Sequence, residues 1–166
     1  MDTNIPDVNI PRVMAAIFRI GQTILAERLK PLDVSGGEMD ILYVVGSWAG
    51  LSQLDLARYT NVGKSSVTKV IKSLEVKGYV QRERDLHDRR VWRVFLTEKG
   101  RSITPQVQQV FHEFIQLHRA CLTDDEAIQT AQVLDKVLTV LVAERDRTAK
   151  IQRDKKHESP CHGVNP

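Results

Sequence analysis

The residues best suited to chemistry lie in one stretch of the chain. Between Lys64 and Arg93 stand nine basic residues: Lys64, Lys69, Lys72, Lys77, Arg82, Arg84, Arg89, Arg90 and Arg93. Four acidic residues share the window: Glu75, Glu83, Asp85 and Asp88. The local excess of five positive charges exceeds the +3 of the whole chain, so the remainder is slightly acidic and the positive field is concentrated. Cations beside the short hydroxyls Ser65, Ser66 and Thr68 suit the gripping of a polyanion more than the making of bonds.

Other chemistries find little support. Ser65 and Ser66 lack an obvious nearby base, and the chain holds no G-x-S-x-G, P-loop or H-E-x-x-H pattern. No enzyme is expected. His112, Glu113 and His118 fall on one helical stretch, but histidines six apart do not share a face. His157, Cys161 and His162 sit in the terminal stretch. Cys121 and Cys161 lack metal spacing and are too few for a disulfide framework, which favours a reducing compartment. Cys121 is expected to pack as a small hydrophobe. Neither a metal nor a cofactor is anticipated. Met1–Pro11 does not read as a signal peptide, and no run reaches the ~20 apolar residues of a membrane span. The expectation is a soluble, cytoplasmic protein.

The elements that must carry the basic stretch can be read around it. Pro11 suits the first turn of a helix running to about Lys30, where Pro31 stops it. Its apolar residues, from Val13 through Leu29, cover more than one face, as expected of a helix shared between a core and a partner subunit. Ser35 with Glu38 forms a capping box for a second helix, with Met39, Leu42, Val45 and Trp48 at helical spacing. Ser52 with Asp55 repeats the pattern for a short helix, Gln53–Tyr59, with Leu54 and Ala57 expected inward. After a turn, Lys64–Lys77 carries Val67, Val70, Ile71 and Leu74 at i, i+3, i+4, i+7. Gly78 stands where a left-handed terminator belongs.

Tyr79–Arg84 and Val91–Leu96 alternate as strands, and the charged Asp85–Arg90 between them reads as a hairpin tip. Thr97 starts a helix that carries Pro105 well inside it, where a bend is expected. Thr123 with Glu126 forms a third capping box, followed by Ala131, Leu134, Val137, Leu138, Leu141 and Val142 on a last helix. The fold expected is mainly α with a small β-hairpin. Residues 33–97 read as a winged helix-turn-helix. Residues 11–32 and 98–147 read as flanking helices, and 150–166 as a disordered tail.

The order of a short helix, a tight turn, a polar-faced helix and a basic hairpin is that of a winged helix-turn-helix. The stretch LDLARYTNVGKSSVTKVIKSLEVKGYVQRERDLHDRRVWRVFLTEKG resembles the MarR family of bacterial transcription regulators. The resemblance rests on Leu56-Ala57, Val67-Thr68, Leu74-Glu75, Gly78, Arg82, Asp85, Asp88-Arg89-Arg90 and Leu96-Thr97 with Gly100. Together with the flanking helices it covers roughly Pro11 to Arg147.

The resemblance implies a homodimer whose N- and C-terminal helices form the dimerisation region, bound to a palindromic operator in double-stranded DNA. Half-sites would lie about one turn, ~34 Å, apart. By the same resemblance, Ser65, Ser66, Thr68 and Lys69 contact the major groove. Arg90 enters the minor groove with Asp88 orienting it, by a bidentate pair if geometry allows. Lys64, Lys72, Arg82, Arg84 and Arg89 hold phosphates. The expected regulator is a repressor released by a small ligand, such as an aromatic or phenolic acid. Met14, Phe18, Met39, Tyr43 and Trp48 could line its pocket, with Arg19 or Arg28 pairing its carboxylate; plain core packing is the competing reading for each. A winged-helix module that binds protein and not DNA is the alternative for the whole chain.

Overall fold

The computed structural model describes residues Asn9–His157. Within the chain, residues up to Gln116 form one compact unit and those from Leu117 a second.

The first unit opens with α1, Ile10–Leu29. The Asn9 side chain accepts the Arg12 N–H at 3.0 Å. Pro11 falls in the first turn, where its missing N–H costs nothing. A single 3₁₀ turn, Lys30–Leu32, carries Pro31 and ends at Asp33 in the left-handed region. Leu25 and Leu29 enter the core, whereas Ile10, Val13, Ile17, Phe18 and Ile20 stay exposed on the single chain. The wide apolar surface expected of this helix is therefore half used.

The capping box of Ser35 and Glu38 starts α2, Gly36–Ser47. Met39, Leu42 and Val45 are buried as their spacing predicts, and Ile41 joins them. Trp48 leaves that face because it is the C-cap, with extended backbone, and stays about half exposed.

A two-residue strand, β1 (Leu51–Ser52), precedes α3, Gln53–Thr60. Ser52 and Asp55 form the expected box. The inward residue of α3 is Leu56, wholly buried, not Leu54, which is 40% exposed; Ala57 packs at the core's edge. Residues two apart on a helix point to nearly opposite sides, so Leu54 and Leu56 cannot both face in.

Helix α4, Lys64–Val76, buries Val67, Ile71 and Leu74, with Val70 partly covered. It ends as the glycine predicts. Gly78 has φ +73°, its N–H reaches Glu75 O at 2.9 Å, and Tyr79 N–H reaches Leu74 O at 2.9 Å. That double bond is a Schellman terminator, and it turns the chain directly into β2.

Strands β2 (Val80–Arg84) and β3 (Trp92–Leu96) pair antiparallel from Val80↔Leu96 to Arg84↔Trp92. β1 adds to the far edge of β3, giving the order β1-β3-β2. The hairpin expected from the sequence is thus a three-stranded sheet; two residues are too few to show alternation. Val94, central in β3, is fully buried.

The Thr97 hydroxyl accepts the Gly100 N–H at 3.0 Å and donates to Gly78 O at 2.6 Å, so the start of α5 (Glu98–Arg119) is tied to the sheet's base. Pro105 lies inside α5 without ending it.

In the second unit, Thr123 and Glu126 exchange the third set of capping bonds at the start of α6, Asp124–His157. Ile128, Val133, Leu134, Leu138, Val140 and Leu141 are exposed along it. Cys121, expected to be packed, is exposed in the link before the helix. The helix runs to His157, into the 150–166 stretch anticipated as disordered. Its charged residues there include good helix formers, and no Gly or Pro interrupts them. Residues 158–166, with Cys161 and His162, lie outside the described residues. No described helix is long and apolar enough to cross a membrane.

Candidate nucleic-acid interface

Helix α4 presents its polar side to solvent because its apolar side is consumed by the core. Lys64, Ser65, Ser66, Thr68, Lys69 and Lys72 are all exposed. The Thr68 hydroxyl donates to Lys64 O at 2.8 Å, which leaves its lone pairs outward. Caps distinguish this helix from its neighbours. Asn9, Ser35 and Ser52 close the starts of α1, α2 and α3 with side chains, but α4 starts at Gly63, which has none to offer. Its first N–H groups, with the partial positive charge of a helix start, sit beside Lys64.

One buried carboxylate fixes this helix in place. Glu38, 3% exposed, does more than cap α2. It accepts the Ser35 N–H at 2.7 Å, the Ser73 hydroxyl at 2.7 Å and the Lys77 ammonium at 3.0 Å. Burial alone would raise its pKa, yet the bonds from Ser35, Ser73 and Lys77 together hold it below the usual value. Lys77 also donates to Asp33 O at 2.7 Å. It is a structural cation, and the sequence signals only the cap.

The hairpin sorts its arginines. Arg82 is half-buried against Glu75, Nε to carboxylate 2.8 Å. Arg84 stacks 3.9 Å from the Trp92 ring centre and donates to Arg89 O at 2.6 Å. Arg93 pairs with Asp85 and donates to Gly50 O at 2.8 Å. Asp85 also accepts the N–H groups of His87 and Asp88, both at 2.8 Å. These backbone donors and the Arg93 guanidinium lower its pKa from 3.8 to about 2.

Beyond this knot, Arg89 and Arg90 stand at the tip, Arg90 with its side chain 93% exposed. Asp88 Oδ1 accepts both the Arg90 N–H at 3.0 Å and its Nε at 3.3 Å. The contact is therefore one oxygen to backbone and side chain, in place of a bidentate fork. Of the five expected phosphate contacts, Lys64, Lys72, Arg84 and Arg89 are exposed, Arg84 while stacked on Trp92, and Arg82 is half-buried against Glu75.

The expected effector residues do not converge. Met39 is core, Met14 is half-buried on α1, and Phe18 and Arg19 are exposed. Arg28 pairs with Glu113 at 3.4 Å. Trp48 stacks on Tyr59 with ring centres 5.3 Å apart. A cleft of about 270 Å³ does open nearby, lined by Asp40, Tyr43, Val44, Tyr59, Thr60 and Phe111. Tyr43 alone of the expected set lines it.

Comparison with known proteins points one way. The MarR family model matches residues 32–91. YybA of Bacillus subtilis (strain 168), an uncharacterized HTH-type transcriptional regulator, is 25% identical over 129 residues, spanning 78% of this chain and 86% of that protein. A MarR transcriptional regulator from Methanosarcina mazei Go1 superposes with TM-score 0.69 at 26% identity, over 81% of this chain and 96% of its own. A mutant MarR from E. coli, solved in complex with operator DNA, superposes with TM-score 0.71 at 26% identity, over 79% and 94% of the two chains.

Proposed function

We propose that the chain is a transcription regulator of the MarR family, not an enzyme, and that it binds operator DNA as a two-fold dimer and represses transcription by occupancy; the family-model match, the similar regulators and the operator-bound structural neighbour support this reading. The carrying observation is the exposed hydroxyl-and-lysine face of α4 beside the exposed Arg89–Arg90 tip. Ser65, Ser66, Thr68 and Lys69 are short or flexible enough to reach base edges in a major groove. Arg90, oriented by Asp88, is the minor-groove arm. Lys64, Lys72 and Arg89 neutralise phosphates, and Arg82 serves the wing's shape instead. The cytoplasm is the compartment for such work.

The dimer reading is supported by apolar residues left uncovered on the single chain. Ile10, Val13, Ile17, Phe18 and Ile20 of α1 are exposed, as are Val133, Leu134, Val140 and Leu141 of α6. Apolar surface of this extent calls for a partner. A two-fold partner makes the bound site palindromic. A small molecule that binds one arrangement of the dimer better than another would release the DNA, by no more than that difference in affinity.

Fluorescence anisotropy with a duplex from the protein's own promoter region tests the proposal. Affinity should fall linearly in log–log form with salt, and Lys72→Ala should reduce the slope by about one while weakening all sequences alike. A monomer by sedimentation, or no duplex binding in dilute salt, would overturn it.

A further inference from the structure

The cleft between α2, α3 and α5 has a definite chemical character. Ring surfaces supply much of its wall: Tyr43 packs against Phe111 with centres 4.7 Å apart and planes tilted by 58°, and Tyr59 is backed by stacked Trp48. Asp40 is the one charged side chain in the lining. It lies one helical turn before Tyr43 on α2, so the two share a face. It has no ion-pair partner among the described residues. Although solvent reaches Asp40, the surrounding protein desolvates it enough to raise its pKa above the usual value.

The sign of that charge decides the ligand. An aromatic acid would bring a second carboxylate to Asp40 and be repelled. Neither Arg19 nor Arg28 lines the cleft to compensate, and Arg28 already holds Glu113. A cation gains twice, from the carboxylate and from the negative faces of the rings. We propose that this cleft binds a small organic cation, an aromatic or quaternary amine, with Asp40 as counter-ion and Tyr43, Tyr59 and Phe111 as ring surfaces. The regulatory consequence, though not the binding, rests on the DNA-binding reading. Tyr59 and Thr60 end α3, directly before the turn that leads into α4. A guest wedged there bears on the start of the DNA-facing helix.

Calorimetry on the full-length protein without DNA tests this. The probes are phenyltrimethylammonium, its uncharged isostere tert-butylbenzene, and benzoate. The cation should bind at least ~10-fold more tightly than benzoate. Asp40→Asn should weaken the cation by about 10-fold and leave the neutral isostere within about twofold, while Asp40→Glu keeps the preference. Thermal melts of both variants establish that they fold. Tighter binding of benzoate, equal cation affinity in Asp40→Asn, or no cation binding at millimolar concentration would each overturn the proposal. Since no DNA is present, a failed duplex assay would sink the regulator reading and leave this result intact.

Discussion

The strands and the tip of the wing use the same residue type for opposite ends. On the strands, Arg82, Arg84 and Arg93 are bound respectively to Glu75, to the Trp92 ring and to Asp85. At the tip, Arg89 and Arg90 reach solvent with only Asp88 near the second of them. A cation paired with a carboxylate contributes shape and little free charge, as Arg82 and Arg93 do; one stacked on a ring is held in place with its charge intact, and one in water keeps its charge available for a polyanion. Counting basic residues along the hairpin therefore overstates the binding surface. Part of the count is scaffolding.

The sharpest way to break this division is at the base. A Cβ on Gly100 would collide with the backbone oxygen of Tyr79. That oxygen accepts the Thr97 N–H at 3.1 Å, so the collision falls on the join between sheet and α5. Gly100→Ala should cost roughly 2–3 kcal/mol, a fall of about 5–10 °C in Tm, measured by a thermal melt, with DNA affinity lost as the wing loosens. At the tip the outcome reverses. Arg90→Ala should weaken operator binding by roughly 5- to 100-fold with Tm unchanged. Unaltered affinity in the anisotropy assay would mean that the tip is idle and the comparison false.

The mildest test is acid. The pKa of Asp85 is depressed in the folded protein, so its contribution is complete above the unfolded value near 3.8 and is withdrawn as pH falls toward about 2. Between pH 5 and 8 the wing should be indifferent to pH on this account. Trp92 fluorescence, read in a Trp48→Phe background, should change only below about pH 4. In Asp85→Asn the acid-dependent step should vanish.

How far the chain could be read in advance follows from the range of the forces involved. Caps and terminators are set by neighbours within four residues, so Ser35–Glu38, Ser52–Asp55, Thr123–Glu126 and Gly78 were all legible. The buried side of α4 was legible because thirteen residues give the helical period room to repeat. What escaped depends on pairing across the fold. β1 exists only because Leu51 meets Val94. Arg84 is occupied because the register sets it opposite Trp92. Asp40 could have been suspected from its helical spacing to Tyr43, but the arrival of Tyr59 and Phe111 beside it is a tertiary fact. The run from Lys150 to His157 is helical against expectation because its high charge suggests disorder, although many of its residues are good helix formers.

The Glu38 knot has a mechanical meaning. A single carboxylate grips the front of α2 and, through Ser73 and Lys77, the back of α4. Swivelling α4 alone would strand that buried anion, so the reading head travels as one piece with the helix behind it. In the proposed two-fold DNA-bound arrangement, any signal that loosens the grip would then be steered toward changing the stride between two heads, not the angle of either blade in its socket.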